Sequence, residues 1–140
     1  MKKGKKKTEP EKPGYILTMS NVQTKEALKA IELLMRLKLS QHREIPDAVL
    51  NWGEGMSVDE FCKRRDKAEP YLEFGFKALF PTCEDVKKDR EWNRLFDLFQ
   101  IIRKAIHDAE HPETVGVDSA PVICMAGEKM ATCEPVYTEE

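Results

Sequence analysis

Trp92-Asn93-Arg94-Leu95-Phe96-Asp97-Leu98-Phe99-Gln100-Ile101-Ile102-Arg103-Lys104-Ala105-Ile106 contains no glycine or proline, and its apolar residues recur three and four positions apart. That spacing is helical. Trp92, Leu95, Phe96, Phe99, Ile102 and Ile106 make one stripe. Leu98, Ile101 and Ala105 widen it beyond what a surface helix carries on the face it buries. The run therefore predicts a helix that is central to the molecule or shared with a second subunit. Asp97, Gln100 and Arg103 interrupt the apolar pattern at helical spacing, so they are the first polar groups that need partners.

Working outward, Thr82 can cap this helix and Glu84 and Asp85 place anions in its first turn, where the dipole favours them. The helix then either runs unbroken to about Glu110 or breaks near Lys88-Asp89-Arg90. Upstream, Ser20-Asn21-Val22-Gln23 has the form of a capping box. It opens a helix bearing Ala27, Leu28, Ile31, Leu34, Met35 and Leu39, with Lys29, Glu32 and Arg36 on its wet side. Pro46 is expected to end that helix and start a short one through Leu50. A loop follows at Asn51-Trp52-Gly53-Glu54-Gly55, with Trp52 packed against the body.

A second capping box, Ser57-Val58-Asp59-Glu60, opens a helix expected to end in Lys63-Arg64-Arg65-Asp66-Lys67, where cations complement the dipole. Pro70 is expected to start a separate helix to Phe80, with Leu72, Phe76 and Leu79 on one side and Tyr71, Phe74 and Ala78 on the other. Gly75 in its middle implies close packing or poor helicity. Three short β-prone segments, Tyr15-Ile16-Leu17-Thr18-Met19, Thr114-Val115-Gly116-Val117-Asp118 and Pro121-Val122-Ile123-Cys124-Met125, suggest a small sheet. The expected fold class is thus α+β: four to five helices with a minor sheet from an N-terminal strand and C-terminal strands.

The chain of 140 residues is the size of one domain, and 41% apolar content suffices for a core. Residues 1 to 14 hold six lysines against Glu9 and Glu11, a balance of +4 that leaves −6 for the other 126 residues if the sum is −2. A lysine-rich leader interrupted by Gly4, Pro10, Pro13 and Gly14 buries no apolar area and is expected to be a disordered arm. Residues 15 to 125 form the domain, and residues 126 to 140 an irregular acidic tail. Lys2, Lys3, Lys5, Lys6 and Lys7 could hold nucleic acid non-specifically by displacing counterions, although an acidic body would repel a duplex.

No apolar run reaches membrane-spanning length and no signal-peptide core follows the lysines, so a soluble cytoplasmic protein without membrane contact is expected. Cys62, Cys83, Cys124 and Cys133 form no C-x-x-C pair and read as reduced structural thiols. His107 and His111 supply only two of four zinc ligands, so no metal or other cofactor is expected. Glycine-rich phosphate loops, nucleophile elbows and H-E-x-x-H helices are missing, which favours a protein that is not an enzyme. His107, beside Asp108, is a possible base, but at a helix C-terminus it reads as a surface cation.

Leu33-Leu34-Met35-Arg36-Leu37-Lys38-Leu39-Ser40-Gln41-His42-Arg43-Glu44-Ile45 and Leu95-Phe96-Asp97-Leu98-Phe99-Gln100-Ile101-Ile102-Arg103 together resemble segments of a group of small, functionally uncharacterised helical proteins encoded in bacteriophage and prophage genomes. The resemblance spans Tyr15 to about Val122. Where that group often shows Gly-Gln, this chain has Ser40-Gln41; where it often shows tyrosines, this chain has Phe96 and Phe99. The resemblance implies that Arg36, Gln41, Glu44, Asp97, Gln100 and Arg103 either tie the first helix to the last or line a pocket for an anionic ligand such as a nucleotide.

It also implies a phage-type accessory protein that binds and inhibits or sequesters a host component, in the manner of anti-defence proteins. Such a protein is expected to act as a homo-oligomer through the 92–106 helix. Alternative readings are a nucleic-acid accessory protein using the lysine arm and a nucleotide sponge.

Overall fold

A computed structural model describes residues 14–50, 53–79 and 89–137. Four α-helices follow in order: α1 Asn21–Lys38, α2 Glu44–Val49, α3 Val58–Leu79 and α4 Arg90–Glu110, with a 3-10 turn at Val117–Ser119. Thr82, Glu84, Asp85, Trp52, Cys83 and the arm lysines Lys2, Lys3, Lys5, Lys6 and Lys7 lie outside the described residues.

α1 begins where the capping box places it. The Gln23 amide donates to Ser20 Oγ at 3.2 Å, and the Ser20 amide donates to Gln23 Oε1 at 3.0 Å. Its far end closes with the Gln41 amide on the Arg36 carbonyl and the Ser40 amide on the Leu37 carbonyl. That is a Schellman closure, and it puts Ser40 at φ 60°, the left-handed position that glycine usually fills.

α2 starts at Glu44, two residues before the expected proline. Pro46 occupies the third helical position, where its missing N–H is one of the first-turn amides without a helical partner.

α4 starts at Arg90, the boundary expected for a break near residue 89. Asp89 caps it, accepting from the Trp92 amide at 3.0 Å. The helix pairs antiparallel with α1, and both ends are clamped. At one end Lys38 Nζ reaches Asp89 Oδ2 at 3.1 Å, and Trp92 Nε1 donates to the Met35 carbonyl at 3.3 Å. At the other, Glu110 Oε1 meets Lys25 Nζ at 2.9 Å and Asn21 Nδ2 at 2.7 Å. At 3.6 residues per turn Trp92, Phe99, Ile106 and Glu110 share one side of α4. That side faces α1.

Three expectations are corrected. First, the small sheet does not form: the described residues contain no strand, and the molecule is helical. Tyr15 and Ile16 are almost wholly exposed and pair with nothing described. The 114–118 segment spends its amides locally, through Thr114 to the His111 carbonyl and the 3-10 turn. The 121–125 segment finds side chains of α4 where a strand would be needed.

Second, Pro70 does not begin a helix; it sits inside α3, which continues to Leu79. The Asp66 carbonyl loses its i+4 donor, but residues 66 and 70 are both exposed, so water can replace the bond.

Third, Lys63, Arg64, Arg65 and Lys67 therefore lie well before the end of α3, where the dipole offers them little. Arg64 instead pairs with Glu60 at 2.9 Å and Arg65 with Asp66 at 3.0 Å. Engaging Arg64 also takes Glu60 out of its capping box, whose serine half alone is made, by the Glu60 amide to Ser57 Oγ at 3.2 Å.

The core is thin. Among the described residues only Met35, Phe61 and Ile102 are buried hydrophobics, and Leu34 is exposed although it falls on the apolar pattern of α1. α3 is held to the body by the His42 ring stacked on Phe76 at 5.3 Å and by Arg43 Nε to Glu69 Oε1 at 3.1 Å. Leu72 and Phe76 are half-buried, whereas Tyr71 and Phe74 are each 78% exposed. Among the described residues no helix is long and apolar enough to cross a membrane.

Candidate functional site

Among the described residues, the buried polar side chains form one stripe on α4. Asn93, Asp97, Gln100 and His107 recur at i, i+4, i+7 and i+14, and Asp97 and Gln100 are only 6% exposed. This stripe lies roughly opposite Ile102 on the helical wheel, so α4 is covered on two sides. α1 covers one. The other is covered by the chain that follows α4, which reverses and runs back along it.

The returning arm is stapled at five levels. His107 Nε2 lies 2.8 Å from Thr114 Oγ1. Arg103 Nη2 donates to the Val117 carbonyl at 3.5 Å, and its Nε stands 3.5 Å from Asp118 Oδ1. That second approach is electrostatic and leaves the buried Nε without a hydrogen-bond acceptor. Gln100 grips Ile123 from both sides, its Nε2 donating to the carbonyl at 2.9 Å and its Oε1 accepting the amide at 3.1 Å.

Asp97 accepts the Met125 amide at 2.7 Å and the Ala126 amide at 3.0 Å, with Cys124 Sγ 3.8 Å away. Arg94 closes the series with a two-pronged pair to Glu128 at 2.8 and 2.6 Å. A primary amide matches a peptide group donor for acceptor, so Gln100 does for Ile123 what a neighbouring strand would do. Two successive amides suit a carboxylate, which offers two oxygens and no hydrogen.

The six residues singled out by the resemblance fall into two groups. Arg36, Gln41 and Glu44 cluster at the α1–α2 turn. Arg36 donates to Glu32 Oε1 at 2.8 Å and to Gln41 Oε1 at 3.4 Å, and its Nη1 is 3.6 Å from Glu44 Oε1. The carboxylate neighbours hold its guanidinium above its ordinary pKa, Glu32 most strongly.

Asp97, Gln100 and Arg103 hold the arm, with Arg103 also 4.9 Å above the Phe99 ring. None of these described contacts ties α1 to α4. Lys38, Asp89, Trp92, Lys25, Asn21 and Glu110 do that work. A single anion pocket made of all six residues does not form, because each arginine already faces carboxylates of its own. The 340 Å³ cleft lined by His42, Arg43 and Arg65 also carries Glu44, Asp47 and Glu69. Its cations are matched by anions, which leaves no surplus for a polyphosphate.

His107 is corrected from a surface cation to a buried ring. Thr114 Oγ1 directs its own hydrogen to the His111 carbonyl at 3.0 Å, so it accepts from His107 Nε2. With Asp108 Oδ1 3.2 Å from Nδ1, the order of groups is carboxylate, imidazole, hydroxyl. The hydroxyl is committed as a structural link and is not set up for attack.

Sequence reasoning missed the burial of Asn93 and His107 in line with Asp97 and Gln100, and the Arg94–Glu128 pair. The available signal was polar residues at 93, 97, 100, 104 and 107, a second stripe as regular as the apolar one. Apart from Cys124 Sγ beside Asp97, the capturing side chains at 97 and 100 meet main chain, so no charged motif at 121–126 could point back to them.

Cys62, Cys124 and Cys133 are unbonded, and burial pushes the Cys133 thiol above its ordinary pKa. Among the described residues no group of three metal-ligating side chains converges. No family model, curated protein or solved structure matches the chain.

Proposed function

We propose that the chain is a non-enzymatic accessory protein, of the kind phage genomes encode, which binds a host protein and inhibits or sequesters it, acting as an oligomer. The observation that carries this reading is the outer face of α3. Tyr71 and Phe74, with Ala78 one turn beyond, are exposed on a helix of 22 residues whose other side carries the buried Phe61 and the Phe76 ring stacked on His42. Exposed aromatic clusters of this kind are typical anchors of protein interfaces, where their rigid area is buried at small entropic cost. A thin core fits the same reading, since a chain that buries few large side chains by itself gains most from covering surface on a partner. α4 has α1 on one side and the arm on the other, so the half-buried strip of Leu98, Ile101 and Ala105 is what it offers a second copy.

The test pairs sedimentation of purified protein with recovery of complexes from bacterial lysate. The reading requires a multimer and a stoichiometric complex that is lost in the Tyr71→Ser, Phe74→Ser double variant. Because both side chains are exposed, that variant should keep its stability within about 0.5 kcal/mol. A strict monomer that recovers no partner overturns it.

A further inference from the structure

Two residues of the polar stripe of α4, Asp97 and Gln100, hold the arm through its main chain. At Ile123 and at the Met125–Ala126 pair, every hydrogen bond from Gln100 and from Asp97 Oδ1 and Oδ2 to nitrogen or oxygen goes to an amide or carbonyl. The Ile123 side chain is exposed, and Met125 is exposed as well. A sequence-independent grip with one acidic anchor is what a receptor for an extended polypeptide looks like, and the groove already holds one such segment.

We propose that this stripe is a binding site for an extended segment of a partner protein, and that residues 121–128 are its internal stand-in. The occupant it fits has four features. One residue presents both its amide and its carbonyl to Gln100, and two consecutive amides two residues later face Asp97. A residue able to take positive φ then turns the chain, as Gly127 does at φ 67°, and a carboxylate follows for Arg94. The last two requirements give the site selectivity: a β-branched residue at the turn would be strained, and a basic residue at the last position would face Arg94.

The arm is suited to leave. Its connection through residues 112–118 is exposed, and the main-chain bonds that hold it can be re-made by water or by an identical set from another chain. Displacement would take two amide hydrogen bonds from Asp97, and an incoming segment with two adjacent amides restores them. The arm thus acts as a competitor at its own site. This inference rests on the protein-binding reading above and names a second surface for it.

The probe is a fluorescein-labelled peptide of residues 119–130 with serine at position 124, titrated by anisotropy against full-length protein. In the full-length Met125→Pro, Ala126→Pro variant the arm loses both amide bonds to Asp97, so the groove opens more readily. That variant should bind the peptide about tenfold more tightly than the unaltered chain, because the competent state is less masked.

Adding Asp97→Asn should abolish the gain, and a Glu128→Ala peptide should bind more weakly. Excess unlabelled peptide should also speed hydrogen exchange at the Met125 and Ala126 amides of the unaltered chain, a readout independent of any variant. Equal affinity in open and unaltered proteins together with unchanged exchange overturns the inference, as does binding indifferent to Asp97→Asn. Host-partner capture lost in the Tyr71→Ser, Phe74→Ser variant would still stand in that case, since α3 is a separate surface.

Discussion

Ser40 sits at φ 60°, in the left-handed region where a Cβ crowds the following carbonyl. The Schellman closure of α1 demands that conformation. The hydrophobic contact that usually accompanies the motif is replaced by Arg36 reaching Gln41 at 3.4 Å. Arg36, Gln41 and Glu44 thus fix the turn that points the chain into α2, which is sufficient reason for their presence. Ser40→Gly should remove the steric cost of about 1 kcal/mol or more, less the entropy glycine loses on ordering. A net gain of about 0.5 to 1 kcal/mol in urea unfolding is expected. A loss would mean that the serine side chain makes a contribution its backbone does not account for.

α3 is the least consistent element. It keeps a proline inside and a glycine at position 75. Close packing was one reason a glycine might be retained, but a Cβ built at Gly75 meets nothing within 4 Å. Poor helicity is what remains. Gly75→Ala should therefore stabilise α3 by about 0.8 to 1 kcal/mol, read as a higher midpoint for helix loss by circular dichroism. No change would indicate that α3 melts independently of the transition being followed.

α4 shows the opposite economy of design, with one side for α1 and another for the arm. Its cap Asp89 is held below its ordinary pKa by the Trp92 amide first and Lys38 second.

Three of the acids whose pKa values folding lowers join segments distant in sequence, and through them the whole molecule responds to pH. Asp89 and Glu110 clamp the two ends of the α1–α4 pair, and Glu128 clasps the arm. All three have pKa values lowered by folding, through the Trp92 amide and Lys38, through Lys25 and Asn21, and through Arg94. A lowered folded value means stability that is complete above the ordinary carboxylate value and is lost as pH falls through the folded one. The ordinary values are 4.5 for the two glutamates and 3.8 for the aspartate.

The melting temperature should accordingly be level from neutral pH to about pH 5 and fall below it as these acids protonate. Hydrogen exchange should show the arm loosening in the same window, and Glu128→Gln should remove the pH dependence of the arm's Arg94 contact. Since these groups are exposed, added salt should mute the response. A molecule that loosens between neutral pH and pH 5 would contradict this assignment.

The sequence by itself determined the helices that have their own punctuation. The Ser20 capping box and the 3.6-residue periodicity of 92–106 are local patterns, and local backbone physics answers them with local structure, whereas the start of α4 at Arg90 was one of two courses the sequence allowed. It also exposed Asp97 and Gln100 as polar groups that a covered helix must satisfy. What satisfies them was decided by tertiary structure. A β-prone segment becomes a strand only if another backbone lies alongside, and at 121–126 the neighbour is a helix whose side chains supply the missing donors and acceptors.

Pro70 likewise signals a helix start locally, yet an exposed carbonyl one turn earlier lets the helix continue through it. The grouping of Arg36 with Gln41 and Glu44, apart from Asp97, Gln100 and Arg103, is equally tertiary. Side-chain partners depend on which faces meet, and the return of the arm along α4 is written in no single spacing.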